Sequence, residues 1–241
     1  IDDMSPCNED HIQPTDLNTF HFYTKGYASS KSVVERFNNN TYPGSGFNYW
    51  GSYTQDGEPW LNSEYGGVAA YDKDWDVSWC FKHQTDIQRQ YEKLNGFVYT
   101  EPYDIEYERN GVLTYDRRYK IFGYDEIAYG GDMTFSHLTQ PNYVGIDVDP
   151  AIKMLPGNIY NAPAVMLNWS GDEFTGAKLK WRFDATDVYG NSVYTGIGGE
   201  FEIDYKPYTR ETRNITFTLP AYKCLGTITL WVEDSEGNPV A

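Results

Sequence analysis

Residues 60–67 read WLNSEYGG, and this stretch decides how the first half of the chain is interpreted. Trp60 and Leu61 predict a buried strand, and Glu64 follows at its end, directly before a Tyr-Gly-Gly turn. The two glycines let the backbone turn sharply and leave space beside the carboxylate. An acid in this position is either a hydrogen-bonded strand end or a catalytic group, and the stretch alone leaves both open.

Strands and helices alternate around this stretch. The helix predicted over 74–94 carries Cys80, Ile87, Tyr91 and Leu94 near one face and ends at an Asn-Gly pair. The predicted order is NTFHFY (18–23, strand), SSKSVVERF (29–37, helix), EPWLNSE (58–64, strand), the 74–94 helix and GFVYTE (96–101, strand). This order implies parallel strands with right-handed crossovers, in which chemistry gathers at the carboxyl ends of the strands.

The second half has a different period. In AKLKWRFDATD (177–187), apolar and polar residues alternate strictly, so that Leu179, Trp181, Phe183 and Ala185 share one face. GEFEIDY, NITFTL and GTITLWVED repeat the pattern between Gly and Asn turns. We therefore predict an antiparallel β-sandwich over 161–241. Because 131–160 is rich in proline and glycine, we predict a linker there, after an α/β domain over 1–130.

Charge and composition narrow the function. The 241 residues carry 19 basic and 35 acidic side chains, a formal net charge of −16. Such a chain repels phosphate backbones and anionic lipid, so we expect no nucleic-acid partner and no membrane partner. The sequence contains no run of about 18 apolar residues, so it predicts no membrane span. The 22 tyrosines and 7 tryptophans are typical of sugar-binding clefts and also of ordinary cores.

The sequence predicts neither a metal site nor a cofactor. Cys7, Cys80 and Cys224 lie far apart, and the histidines show no metal-ligand spacing. A phosphate-binding loop and a serine nucleophile elbow are absent as well. Paired carboxylates would instead suit glycoside hydrolysis, and Glu64 and Glu101 each end a predicted strand. For Glu101, a hydrogen-bonded strand end and a substrate contact are equally good interpretations.

The first half resembles the C-terminal part of the catalytic barrel of glycoside hydrolase family 2, which includes β-galactosidases, β-glucuronidases and β-mannosidases. The resemblance is carried in order by IDDMSPCNEDH, DLNTFHFY, TYPGSGFNYW, LNSEYGG, GFVYTEPYDIEYERNGVLTYDRRYK and FGYDE. It implies that HFY, SEYGG and FVYTE mark the sixth, seventh and eighth strands of a (β/α)8 TIM barrel. The implied fold is the C-terminal half of that barrel, followed by an immunoglobulin-like β-sandwich.

The resemblance also implies roles. Glu64 looks like the nucleophile of a retaining β-glycosidase, most similar to a β-galactosidase, which acts on an oligo- or polysaccharide with a terminal β-linked sugar. The residues implied to contact substrate or to support Glu64 are His21, Tyr23, Asn62, Tyr65, Tyr99 and Glu101. Tyr99 stands near the position where many relatives carry a Trp sugar platform, and ordinary packing within the barrel is an equally good interpretation of it. Relatives that degrade glycans suggest a periplasmic or secreted location.

One family feature has no counterpart here. The family's general acid is a Glu in an Asn-Glu pair at the end of the fourth strand, whereas Asn8-Glu9 falls after the fifth-strand segment. We therefore expect the chain to be a fragment whose open edges are covered by an N-terminal portion of the same enzyme or by self-association into a homo-oligomer. The alternatives are a non-catalytic carbohydrate-binding or assembly module and an open α/β binding protein unrelated to sugar.

Overall fold

The computed structural model describes residues 11, 14–66, 78–120, 135–147, 149 and 151–241. The described chain is mostly strand with few helices, and it divides into two compact units, Ile1–Ile121 and Phe122–Ala241. Several of the segments discussed above, including Cys7 and the Asn8-Glu9 pair, lie outside the described residues.

The first unit has the β-α-β-α-β order that the sequence predicts. Its elements are β1 (Asn18–Phe22), α1 (Tyr27–Asn40), β2 (Trp60–Tyr65), α2 (Ser78–Arg89) and β3 (Leu94–Tyr99). The three strands form one sheet in the order β1-β2-β3, and both pairings are parallel. The prediction for the second helix was too long, because α2 ends at Arg89 and Leu94 pairs with Trp60 as the first residue of β3.

A β-bulge at Ser63 sets the direction of the residues that follow it. Phe20 lies opposite Asn62 but His21 lies opposite Glu64, so β2 has one extra residue between them. A bulge of this kind re-aims the side chains beyond it. Asn62 and Tyr65 consequently both face α2, where they bond Gln88 and Thr85, and Glu64 faces the opposite side of the sheet.

An aromatic layer packs the sheet against its helices. The ring of Phe20 stacks on Trp60 at 5.0 Å and on Phe37 of α1 at 4.4 Å, measured between ring centroids. Tyr65 lies between Phe81 of α2 and Phe22 of β1. Because this layer fills the helix-facing side, the polar ends of β1 and β2 occupy the other side.

The second unit is antiparallel. Its first described element is the short helix α3 (Phe135–Thr139), and its described strands are β4 (Asn142–Ile146), β5 (Ile159–Asn168), β6 (Lys178–Asp187), β7 (Ser192–Glu202), β8 (Thr209–Thr218) and β9 (Cys224–Glu233). They form two three-stranded sheets, β4-β5-β8 and β7-β6-β9. The predicted linker over 131–160 was therefore wrong in part, since β4 and the start of β5 lie within it. Every residue of β4 pairs with β5, a long-range contact that a five-residue segment containing a glycine does not reveal.

Both sheets of the second unit contribute to one core. Met166 and Ile215 come from one sheet and Leu179, Trp181 and Val232 from the other, and all five are at most 7% exposed. The alternation predicted for β6 is confirmed, because Leu179, Trp181, Phe183 and Ala185 are all buried. The two sheets thus pack face to face, as in a β-sandwich.

Candidate functional site

Glu64 lies at the carboxyl end of the central strand of the parallel sheet. Two side chains reach it there, one from β1 and one from the residue that follows β1. The hydroxyl of Tyr23 donates a hydrogen bond to Oε1 of Glu64 at 2.5 Å. Nδ1 of His21 lies 3.6 Å from Oε2 of the same carboxyl group. The Glu64 side chain is 32% exposed, whereas that of His21 is 5% exposed. The carboxyl group is thus held in place while remaining open on one side.

Asn62 holds the backbone of Glu64 from the side of the sheet that faces α2. Its Oδ1 accepts a hydrogen bond from the Glu64 amide at 2.9 Å, and its Nδ2 donates to Gln88 of α2 at 2.6 Å. Asn62 is fully buried. It therefore contacts the Glu64 backbone and lies away from the exposed side of the Glu64 carboxyl group.

The backbone after Glu64 is closely packed. A Cβ atom at Gly66 would lie 2.2 Å from Nδ2 of Asn110 and 2.6 Å from the ring of Tyr23. Distances this short do not occur for real side chains, so position 66 has to be glycine while these neighbours remain in place. The sequence suggested that this glycine permits a turn. It also leaves room for the ring of Tyr23, whose hydroxyl binds Glu64.

The end of β3 joins this site through backbone contacts. The amide of Thr100 donates to the carbonyl of Tyr65 at 2.7 Å, and the peptide bond between Thr100 and Glu101 is cis. The hydroxyl of Tyr99 donates to the carbonyl of Asn110 at 2.5 Å, and the amide of Val112 donates to the carbonyl of Glu101 at 3.1 Å. Glu101 therefore lies two residues after the end of β3, the strand next to the one that carries Glu64, and its carbonyl is held by the Val112 amide.

A buried ion pair holds the loop that follows. Lys120 Nζ lies 2.7 Å from Oδ1 of Asp104, and both side chains are 8% exposed. The same Oδ1 accepts the amide of Gly111 at 2.9 Å, while Lys120 also donates to the carbonyl of Arg109 at 2.9 Å. These contacts close residues 101–120 onto themselves and fix the loop beside the end of β3.

Two carboxyl groups of this region have raised pKa values. Burial raises the pKa of Glu101 to about 7, and the negative charges of Glu108, Asp104 and Glu64 add to the shift. Burial and the charge of Glu64 also raise the pKa of Glu108. Because Glu64 acts on both groups, the three glutamates form one electrostatic cluster.

Two of the predicted substrate contacts face the wrong side of the sheet. Tyr65 is fully buried, its hydroxyl lies 2.7 Å from that of Thr85, and burial raises its pKa. The ring of Tyr99 packs at 4.7 Å against Phe81 of α2. Both rings belong to the aromatic layer on the helix side, so we correct their assignment from substrate binding to packing.

Sequence reasoning missed Asn110, Glu108 and the Asp104–Lys120 pair as parts of this region. They lie in 101–120, a segment that carried the family resemblance but shows no helical or strand period. Asn110-Gly111 is a turn dipeptide and was the one local signal available. Proximity to Glu64 depends on tertiary contacts across the loop, which period and composition do not encode.

Metal-binding and membrane-spanning features were also sought. Within the described ranges, no group of three or more His, Cys, Asp or Glu side chains is arranged to hold a metal ion. In the same part of the chain, no helix combines the length and apolarity needed to cross a bilayer.

Comparison with solved structures gives β-glucuronidases and β-galactosidases. A Bacteroides uniformis β-glucuronidase is 14% identical, with a TM-score of 0.33, over 94% of this chain and 25% of its own. A Bacteroides fragilis protein assigned as a β-galactosidase is 11% identical, with a TM-score of 0.34, over 87% of this chain and 33% of its own. An FMN-binding β-glucuronidase from Faecalibacterium prausnitzii L2-6 is 10% identical, with a TM-score of 0.34, over 86% of this chain and 32% of its own.

This chain thus spans a quarter to a third of the length of these structures. No model of a known protein family matches the sequence, and no curated protein matches it. At these TM-scores the comparison assigns no role to any residue, and the case for the site rests on its own geometry.

Proposed function

We propose that this chain supplies the nucleophile of a retaining β-glycosidase, and that Glu64 is that nucleophile. The observation that supports this proposal is the environment of the Glu64 carboxyl group. The group lies near the end of the central parallel strand, accepts a hydrogen bond from Tyr23 and remains 32% exposed. A carboxylate held in this way can attack an anomeric carbon and form a covalent glycosyl-enzyme. The substrate is an oligo- or polysaccharide with a terminal β-linked sugar, and the activity is β-galactosidase-like.

His21 and Tyr23 have the positions that this role needs. His21 reaches the Glu64 carboxyl group from β1 and Tyr23 from the residue after it, and both would keep the group oriented as charge moves onto the sugar. Tyr23 is a hydrogen-bond donor to Oε1, which lowers the freedom of the carboxyl group to rotate away. We assign Glu101, two residues after the end of β3, to the wall of the same site.

We further propose that the parallel unit is the last part of a (β/α)8 barrel and that the second unit is an immunoglobulin-like domain. Among the described residues, β1 and β3 are the edges of the parallel sheet, and Val98 of β3 is 51% exposed. Edges and apolar surface of this kind need a cover. The partner is the remaining part of the barrel, which also supplies the general acid; a second copy of this chain is the alternative cover.

Covalent labelling tests the role of Glu64 directly. The protein, combined with the remaining part of the barrel, is treated with a 2-deoxy-2-fluoro-β-galactosyl fluoride, which forms a slowly hydrolysed glycosyl ester with a nucleophilic carboxylate and releases fluoride. Peptide mass spectrometry should place the sugar on Glu64. Labelling on another residue would contradict the proposal, and binding of galactosides without labelling would favour the non-catalytic carbohydrate-binding module.

Substitution gives the quantitative form of the same test. Glu64→Gly should lower kcat for an aryl β-galactoside by roughly 10³-fold or more, because the covalent route is lost. Added azide should restore turnover by attacking the anomeric carbon from the vacated side, which gives an α-galactosyl azide. Glu92→Gln, which changes an exposed acid after α2, is the matched control and should keep full activity.

A further inference from the structure

Glu101 has an unusual carboxyl group. Its Oε1 atom is shielded from solvent and has no hydrogen-bond partner among the described residues. Buried polar atoms in native proteins are nearly always paired, so an unpaired one beside a proposed sugar site is a candidate ligand contact. The backbone of Glu101 is fixed by the Val112 amide, so the carboxyl group does not owe its position to a mobile loop.

The charges shown to act on this carboxyl group have the same sign. Those that act on Glu101 are the carboxylates of Glu108, Asp104 and Glu64. The one basic group of the adjoining loop shown to face this region, Lys120, is engaged by Asp104 and by a backbone carbonyl. From β1 and its end, the groups facing Glu64 are His21 and the Tyr23 hydroxyl.

We propose that Glu101 sets the charge selectivity of the site: its carboxyl group binds a hydroxyl of a neutral sugar, and with Glu64 and Glu108 it excludes a sugar that carries a carboxylate. The proposal rests on the proposed function of Glu64. It narrows the substrate to neutral glycosides, although uronide-cleaving enzymes are among the structures similar to this chain.

Proton binding to Glu101 gives the selectivity a defined pH dependence. Because its pKa is raised from 4.5 to about 7, Glu101 is neutral on the acidic side of that value and gains its negative charge as the pH rises through it. A neutral carboxyl group can both donate to and accept from a sugar hydroxyl, whereas an ionised one only accepts. A bound uronate meets one more negative charge above this pH, so discrimination against it should increase as the pH rises.

The test compares two substrates that differ only at C6, 4-nitrophenyl β-galactoside and 4-nitrophenyl β-galacturonide. Glu101→Gln should shift the ratio of their kcat/KM values about tenfold towards the galacturonide and remove the pH dependence of that ratio near pH 7. Glu106→Gln removes an exposed carboxylate from the same loop and should leave the ratio unchanged. An unchanged ratio in Glu101→Gln, with both rates lowered equally, would overturn the proposal.

Failure of the underlying function is distinguishable. If Glu64 is not labelled and neither substrate is hydrolysed, the proposed function fails, and calorimetry with methyl β-galactoside and methyl β-galacturonide then tests Glu101 by binding alone. Wild type should bind the galactoside at least tenfold more tightly than the galacturonide, and Glu101→Gln should narrow that gap. Equal affinities in wild type would overturn the charge selectivity whatever the catalytic result.

Discussion

The two units stabilise themselves in opposite ways. Among the described residues, all but one of the strongly buried polar side chains lie in the parallel unit, and the exception is Asn168. The antiparallel unit instead buries an apolar core between two sheets and keeps its ion pairs, such as Lys178 with Glu200, on the surface. A unit that holds a carboxyl group at a fixed place needs oriented polar contacts, whereas a packing unit does not.

The largest expected effect comes from the buried ion pair of the parallel unit. Lys120→Met leaves Asp104 without its cation in a site where both side chains are 8% exposed. Breaking such a pair costs about 3–5 kcal/mol of unfolding free energy, because a buried charge is left uncompensated. Denaturant unfolding combined with hydrogen exchange should show the loss in the first unit.

The control for this variant is Arg118→Met, because the Arg118 side chain is 82% exposed and its ion pair with Asp116 lies at the surface. It should leave the stability of the unit nearly unchanged. If Lys120→Met also has almost no effect, the parallel unit does not depend on its buried charges and the contrast between the units is wrong.

An intermediate effect is expected in the apolar core of the second unit. Leu179 is fully buried between the two sheets, so Leu179→Ala should lower the unfolding free energy by about 2–5 kcal/mol. Lys178→Ala changes the preceding, outward-facing residue of β6 and should have a much smaller effect. Hydrogen exchange should localise the loss to residues 142–233; a loss seen only in the first unit would refute the core described here.

The smallest expected effect on stability falls on the polar support of the site. Asn62→Ala leaves the Glu64 amide and the Gln88 side chain without their partner, which should cost about 1–3 kcal/mol. Because Asn62 fixes the backbone of Glu64, labelling by the fluorinated galactosyl fluoride should slow far more than stability falls. Asn39→Ala, at an exposed position of α1, should change neither quantity, and normal labelling in Asn62→Ala would argue against a positioning role.

The sequence predicted those parts of the molecule that have a simple period. The alternation in β6 gave the buried face of the sandwich correctly, and the strand-helix rhythm gave the order of the parallel sheet. The prediction failed for β4, whose five residues become a strand only through pairing with β5. A short segment without a period has no local signal for such a contact.

Within the candidate site, the sequence predicted which residues lie near strand ends but not which face they take. It grouped Tyr65 and Tyr99 with His21 and Tyr23, although the first two face the helices. With strict alternation along β2, Tyr65 would face the side of the sheet opposite to Trp60. The bulge reverses this, so that Tyr65 and Trp60 face the same side. The extra residue is visible only once the strands are paired.

That bulge means that the pairing register of β2, and not residue identity alone, keeps the candidate site together. From Trp60 to Gly66 the backbone carries one residue more than a regular strand needs, so the same residues paired without the bulge would turn the carboxyl group of Glu64 towards Gln88. Such a slip would leave the sequence unchanged, yet it would take Glu64 away from His21 and Tyr23.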